Sequence, residues 1–240
     1  MKRHRFLPAL LSAGLLSAAM APPPAHAQAV LTADFQDQPV DQPIGLGGAA
    51  AGQPVSVATR LDAIVRDTPM PTRSLELGWN DASVSAAYAR FHLLDGSEVV
   101  DGQVLIEFDL LPQTASIFLV NIRESSSSAR DYGSLRLQGS GNLLIGDGAG
   151  SVVVAGGWSV GAVLSPWFLY DLDARTWSFG VGADTVFVDR PVGPPVDGRG
   201  IGAVNFGLDF NTPADTRLSI DNLRVTRIPA DALFADGFEE

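Results

Sequence analysis

Short runs of aliphatic, β-branched and aromatic residues alternate with clusters of glycine, proline, aspartate and asparagine between residues 28 and 228. No window in this span repeats apolar residues at the 3.6-residue period of an amphipathic helix. This spacing is typical of an all-β, two-sheet sandwich, and we expect about twelve to fourteen strands. The runs with the clearest strand signals are residues 29–35, 55–58, 63–67, 74–79, 83–93, 99–110, 116–123, 132–137, 143–145, 151–155, 167–172, 177–181, 185–188, 203–210 and 216–226.

The last of these runs, TRLSIDNLRVT at 216–226, is the strongest strand signal near the end of the chain. Strict alternation would put Ile220 on the same face as Asn222 and Arg224, and Asp221 on the same face as Leu223. Neither face is then uniformly apolar. We interpret this imperfect alternation as a strand that is packed inside the sandwich and closes the fold.

Three segments carry a resemblance to a known superfamily. The Ile-Asp-Asn-Leu-Arg-Val core at 220–225 resembles the final strand of concanavalin A-like lectins and glucanases, which lies beside the first strand of their jelly roll. Residues 34–37 with the following Pro/Gly-rich loop, and WFLYDLDARTWSFGV at 167–181, are similar to the first strand and a hairpin of such domains. The resemblance covers nearly all of the chain after residue 27. It implies an antiparallel jelly roll and a glycan partner, without implying an enzyme.

The amino end has the three parts of a secretory signal peptide. Residues 1–5 are basic, residues 6–20 are apolar, and Ala25-His26-Ala27 provides a cleavage signature. We therefore predict a signal peptide at 1–27, a jelly-roll domain at 28–228, and export to the periplasm or the extracellular space. No transmembrane segment is expected after cleavage. Residues 229–240 read as a flexible acidic tail, whose Phe-Ala-Asp-Gly-Phe-Glu resembles the ends of assorted exported Gram-negative proteins.

The charge balance excludes one class of partner. The chain has 16 lysine and arginine residues against 27 aspartate and glutamate residues, a net charge of −11. Removal of Lys2, Arg3 and Arg5 with the predicted signal peptide would leave 13 basic residues, all arginine, and a net charge of −14. Such a surface repels phosphate backbones, so we expect no nucleic-acid partner. The chain has no cysteine, so its core must be stable without disulfides.

The residue content also excludes several catalytic mechanisms. After residue 27 the chain contains one histidine, His92, and no lysine or cysteine, which argues against Schiff-base catalysis, thiol catalysis and the usual zinc sites. Gly-Trp-Ser-Val-Gly at 157–161 matches the nucleophile elbow of esterases. That elbow requires a following helix and a downstream histidine, whereas His92 lies upstream. We favour a glycine-rich β-turn for this segment.

Glu107 and Asp109 are the candidate catalytic residues. Residues two apart on a strand point the same way, so both carboxylates share one face of the predicted strand. Laminarinase-type glucanases place Glu-x-Asp-x-x-Glu on such a strand, and this chain is similar except that Pro112 replaces the second glutamate. Catalysis would therefore need a further acid. The alternative is a solvated polar face without catalytic function.

Trp158, Trp167 and Tyr170 are the candidate glycan-binding residues, because aromatic rings can stack on sugars. Alternation predicts that at least one aromatic residue of the 167–172 strand faces outward, and Trp158 and Trp167 are the stronger candidates for exposure. The superfamily resemblance also implies a possible calcium ion between the first and last strands. Asp34, Asp37 and Asp221 match its ligands by location, and oxygen ligands suit calcium.

Three functions follow from these observations. We favour an exported, non-catalytic module that binds a glycan or another surface polymer. The first alternative is a glycoside hydrolase or polysaccharide lyase with Glu107 and Asp109 on the floor of a groove beside a third titratable group. The second alternative is a structural or adhesive envelope protein.

Overall fold

The computed structural model describes residues 27–44, 55–80, 85–93, 98–125, 131–147, 150–192, 199–210 and 212–229. The predicted signal peptide, apart from Ala27, and residues 230–240 of the predicted tail lie outside the described residues. The described part of the chain forms strands and no helix, and so has no helix able to cross a membrane. The strands are β1 (Gln28–Ala33), β2 (Val55–Val57), β3 (Leu61–Arg66), β4 (Ser74–Trp79), β5 (Ala87–His92), β6 (Gln103–Pro112), β7 (Phe118–Arg123), β8 (Asp131–Leu137), β9 (Leu143–Asp147), β10 (Gly150–Val154), β11 (Pro166–Asp171), β12 (Thr176–Val181), β13 (Asp184–Pro191), β14 (Ala203–Leu208) and β15 (Arg217–Ile228).

These strands form two antiparallel sheets. Sheet A has the order β13-β12-β11-β6-β15-β4-β3, with β1 also paired to β15. Sheet B has the order β10-β9-β8-β7-β14-β5-β2. The predicted all-β, two-sheet sandwich is confirmed, and the fifteen strands found in the described residues exceed the twelve to fourteen expected.

The core lies between the sheets and follows from the period-two alternation of each strand. On β6, Val104, Ile106 and Leu110 are fully buried, while Glu107 between them is exposed. Phe108 of sheet A and Phe206 of sheet B lie edge to face, with ring centroids 5.0 Å apart. Aromatic contacts of this kind bury large areas and fix the spacing of the two sheets.

The last strand occupies the middle of sheet A. The carboxyl-terminal half of β15 pairs with β1, with Gln28 opposite Arg227, and its amino-terminal half pairs with β4. The other edge of β15 pairs with β6 over nearly its whole length. The first and last strands are therefore neighbours, as the resemblance implied. Residues that β15 presents outward lie at the centre of a wide sheet, flanked on both sides.

Candidate functional site

A row of side chains crosses the outer face of sheet A over three neighbouring strands. Glu107 of β6 lies directly opposite Trp167 of β11 on one side and opposite Arg224 of β15 on the other. Glu107 and Arg224 are exposed, and Trp167 is partly exposed. Cross-strand partners on one face are near enough to contact a common ligand. We call Trp167, Glu107 and Arg224, together with Asp109 and Asn222, the Trp167 site.

A glycine on the neighbouring strand determines where the Trp167 ring lies. Gly180 of β12 is opposite Trp167, and a Cβ atom at this position would be 2.3 Å from Cζ2 of the indole. The ring therefore packs over bare backbone, and its Nε1 donates a hydrogen bond to the Gly182 carbonyl oxygen at 3.2 Å. The indole is held along the sheet surface, an orientation that suits stacking against a flat apolar ligand face.

A β-bulge in β15 directs a second group toward the site. Asp221 pairs with Asp109 and Arg224 pairs with Glu107, so Asn222 and Leu223 together oppose a single residue of β6. Asn222 has a φ of 52°, in the left-handed region that asparagine tolerates better than most residues. Its Nδ2 donates to Oδ2 of Asp109 at 2.7 Å. The bulge thus turns the Asn222 amide onto the outer face beside the carboxylates.

Asp109 is held from both sides. Oδ1 accepts a hydrogen bond from the Ser165 hydroxyl at 2.5 Å, while Oδ2 accepts the Asn222 amide. The adjacent Asp221 is fully buried and accepts hydrogen bonds from the Thr72 hydroxyl and from the Asn222 backbone amide. Burial raises the pKa of Asp221, and the nearby charges of Asp109 and Asp34 raise it further. The site is therefore acidic, with Arg224 as the cation that lines it.

These side chains line a cavity of about 290 Å³, which also includes Ser165, Pro166 and Gly182. An indole face, two carboxylates, an amide and a guanidinium surround this volume. Such a set can stack on an apolar face and exchange hydrogen bonds with hydroxyl groups. The arrangement is suited to a small, hydroxyl-rich ligand.

The structure separates the three aromatic candidates. Trp167 lies at the outer surface of sheet A, whereas Tyr170 and Trp158 are buried, with exposed fractions of 0% and 8%. The Tyr170 ring stacks on Trp177 with centroids 5.8 Å apart, and the Trp158 indole donates to the Asn142 carbonyl oxygen at 3.2 Å. The prediction that Trp158 is exposed was wrong, because its ring packs in the core, edge to face with Phe118 at 6.0 Å between centroids. Neither Tyr170 nor Trp158 can contact a ligand from solvent.

The acidic residues suggested for calcium do not meet in a metal site. The described residues contain no group of three or more His, Cys, Asp or Glu side chains able to hold a metal ion. Asp34 and Asp37 are exposed after β1, and Asp34 Oδ1 accepts the Gln36 backbone amide at 3.2 Å. The oxygens of Asp221 are already used by Thr72 and by the backbone of Asn222. These hydrogen bonds account for the burial of the Asp221 carboxyl without a bound cation.

The remaining sequence motifs do not join the site. His92 lies on the outer face of sheet B, within hydrogen-bonding distance of the Ser56 hydroxyl at 3.2 Å, so the imidazole is on the other side of the sandwich from Glu107. The Gly-Trp-Ser-Val-Gly segment at 157–161 forms turns and no helix. Sequence reasoning missed Ser165, Asn222 and Arg224 as members of the site. Asn222 carried a signal, since its position breaks the apolar alternation of the last strand.

Comparison with known proteins identifies the fold. No protein-family profile matches the sequence, and no curated protein matches it. Among solved structures, a sialidase aligns with a TM-score of 0.58 and 16% identity, covering 85% of this chain and 19% of the sialidase chain. A carbohydrate esterase from the Shiga toxin-encoding bacteriophage phi24B aligns with a TM-score of 0.56 and 10% identity, covering 84% of this chain and 99% of the esterase chain. The botulinum neurotoxin serotype G binding domain gives a TM-score of 0.55 and 10% identity, covering 87% of this chain and 50% of that chain. At these identities the likeness concerns the β-sandwich fold alone.

Proposed function

We propose that the protein is an exported, non-catalytic β-sandwich module that binds a glycan through the Trp167 site. The observation that carries this proposal is the row Trp167, Glu107 and Arg224 across three strands at the centre of sheet A. Sugars present both apolar C–H faces and hydroxyl groups, and this row offers an aromatic ring next to charged hydrogen-bonding groups. Fold relatives that include a sialidase and a carbohydrate esterase are in keeping with a carbohydrate partner.

The side chains of the Trp167 site are held in place by contacts within the protein itself. Gly180 and the bond to Gly182 fix the indole of Trp167, while Asn222 and Ser165 hold the carboxylate of Asp109. Groups that are already ordered lose little conformational entropy on binding. Leu105 and Leu169, which pair in the next row of the sheet, are partly exposed and extend the apolar surface beside the indole.

A glycoside hydrolase is the second candidate, because Glu107 and Asp109 both line the cavity. Two residues of strand rise separate their Cα atoms by about 6.6 Å, so both carboxylates can approach one ligand from the same face of the strand. Such a pair needs one carboxyl kept protonated for the leaving group. Burial raises the pKa of Asp221, but its side chain is fully buried and cannot reach a substrate. Binding without turnover is therefore the function that the geometry favours.

The test is a glycan array probed with the purified protein in calcium and in EDTA, with product release monitored on every glycan that binds. We expect binding without product, and a loss of at least about tenfold in affinity for Trp167→Ala, since stacked aromatic anchors contribute strongly to affinity. Phe210→Ala is the matched control, because Phe210 is an exposed aromatic residue, at 50% exposure, outside the site.

Each other outcome points to a different function. Product release that is lost in Glu107→Gln would replace the binding proposal with the hydrolase. Equal affinities for Trp167→Ala and the wild-type protein would contradict the role of the Trp167 site. Absence of binding to every glycan would favour the structural or adhesive alternative.

A further inference from the structure

The outer face of sheet B carries a second row of polar residues that the Trp167 site does not use. One residue from each of the seven strands lies in this row, and consecutive members are cross-strand partners. The row contains one arginine, two asparagines, three serines and one glycine. We call it the sheet B ladder: Ser56, Arg90, Asn205, Asn121, Ser134, Gly146 and Ser151.

Arg90 stands out in this ladder because its guanidinium has no direct carboxylate partner among the described residues. Among the described residues it makes one hydrogen bond, from Nε to Oδ1 of Asn205 at 3.1 Å, and no ion pair. Two other described arginines of this face have carboxylate partners: Arg123 lies 2.7 Å from Asp131, and Arg136 lies 2.6 Å from Asp209. The described residues of this face therefore include one arginine more than these ion pairs use, on a chain whose net charge is −11.

The surroundings of Arg90 make its positive charge costly. The side chain is half-buried, and its pKa is lowered by burial and then by the neighbouring charge of Arg123, while the charge of Asp131 offsets part of this lowering. The pKa of His92, the next outward residue of β5, is lowered by burial and by Arg90. A guanidinium removed from water without a counter-ion lowers stability, so an anion that arrives there is stabilised by the same field.

The hydrogen bond to Asn205 fixes the orientation of the Arg90 guanidinium. Asn205 is fully buried in the middle of sheet B, and its Oδ1 accepts the Arg90 Nε–H. Its Nδ2 is also buried and has no hydrogen-bond partner among the described residues. With Nε engaged below, the two terminal nitrogens of Arg90 remain available for a ligand. Two N–H groups in a planar fork match the two oxygens of a carboxylate.

Arg90 lines one of two open cavities that meet at Tyr88. A cavity of about 410 Å³ is lined by Ser56, Tyr88, Arg90 and His92. A second cavity of about 440 Å³ begins at Tyr88 and continues over Asn121, Ser134 and Ser151, and its lining also includes the charged residues Asp131 and Arg136. The Tyr88 ring between them lies over Gly207, where a Cβ atom would be 2.5 Å from the ring. Hydroxyl and amide groups therefore extend from Arg90 across the sheet, with an aromatic ring alongside.

We propose that Arg90 anchors a second binding site, which takes the carboxylate of an acidic sugar while the hydroxyl groups of the same saccharide contact the sheet B ladder. The site lies on the opposite face from Trp167 and does not depend on the function proposed for that residue. Arg90 supplies the charge and the fork, Asn205 positions it, and Asn121 and Ser134 supply hydrogen bonds farther along the row.

The experiment compares two probes by isothermal titration calorimetry at constant salt: an oligogalacturonide, and the same oligomer with its carboxyl groups reduced to neutral alcohols. We expect the wild-type protein to bind the acidic oligomer at least about tenfold more tightly, because a bidentate charged hydrogen bond is lost with the carboxylate. Arg90→Gln should remove this preference. Arg175→Gln, which removes an exposed arginine from the β11–β12 turn, is the control of matched charge and should bind as the wild-type protein does.

Two further measurements separate recognition from folding. Arg90→Lys retains the charge and can still reach Asn205, so it should fold with the wild-type melting temperature but lose affinity for the acidic oligomer, because an ammonium lacks the planar fork. The acidic oligomer should also raise the pKa of His92, followed by NMR with a His92→Gln variant for assignment, since a nearby anion favours the imidazolium.

The proposal is overturned if the wild-type protein binds neither oligomer, if the neutral oligomer binds as tightly as the acidic one, or if Arg90→Gln leaves the affinity unchanged. Trp167→Ala should not alter binding of the acidic oligomer at Arg90. Failure of the Trp167 site and failure of the Arg90 site therefore give different results.

Discussion

Asn222 links the fold of the last strand to the Trp167 site. Replacing it separates two contributions to the free energy of unfolding, from the backbone conformation and from the hydrogen bond to Asp109. Asn222→Ala forces an alanine into a φ of 52° and removes the hydrogen bond to Asp109. The left-handed conformation costs a residue with a Cβ atom about 1 kcal/mol, and a partly exposed bond to a carboxylate contributes about 1 kcal/mol. We expect Asn222→Ala to lower the free energy of unfolding by about 2 kcal/mol.

Asn222→Gly is the matched variant, because glycine adopts positive φ without a steric cost. It loses the bond to Asp109 but keeps the bulge, so its loss should be smaller, about 1 kcal/mol including the added chain entropy. Urea denaturation of both variants, each also combined with Asp109→Ala, measures the two contributions and their coupling. The reasoning is refuted if Asn222→Ala is as stable as the wild-type protein, or if the glycine variant is less stable than the alanine variant.

Three other predictions follow from the same structure. Gly180→Ala places a Cβ atom 2.3 Å from the Trp167 ring, so we expect urea denaturation to show about 1–3 kcal/mol of lost stability, together with weaker glycan binding. Wild-type stability and wild-type glycan affinity in this variant would contradict the packing described. Asp221→Asn removes a carboxyl whose pKa is raised in the fold, so the wild-type protein should lose stability relative to the variant as pH rises above the ordinary pKa of 3.8. Urea denaturation at acid and at neutral pH checks the sign of this difference, and the opposite trend would refute it. Arg90→Gln should raise the pKa of His92 toward its ordinary value of 6.5, because the charge of Arg90 helps to lower it; an unchanged NMR titration midpoint would count against their proximity.

The sequence predicted the fold well because the alternation of apolar residues is local. Each buried strand contains its own signal, and turn residues mark the ends. The predicted run 74–79 coincides with β4, and the hairpin predicted within 167–181 is formed by β11 and β12. Strand ends were less accurate: β6 was expected to begin at Val99, which instead forms an isolated bridge with Ile201. Where a strand begins or ends depends on pairing partners that are distant in sequence.

The site was only partly predictable, because its members come from strands far apart in the chain. The shared face of Glu107 and Asp109 followed from spacing alone. The placement of Trp167 beside Glu107 required the pairing of β6 with β11, across 60 residues of sequence. Burial of Trp158 could not be deduced from its glycine neighbours, since a turn can point its aromatic residue inward as easily as outward.

The imperfect alternation of the last strand was the most informative irregularity in the sequence. Strict alternation assigned Ile220 and Leu223 to opposite faces, yet both are buried in the core. The bulge at Asn222 inserts one residue and reverses the alternation, so the apolar residues on either side of it point inward. The same insertion brings the Asn222 amide to Asp109 and places Arg224 opposite Glu107. A strand with strict alternation could not bury Ile220 and Leu223 together, so the irregularity that completes the core also builds the Trp167 site.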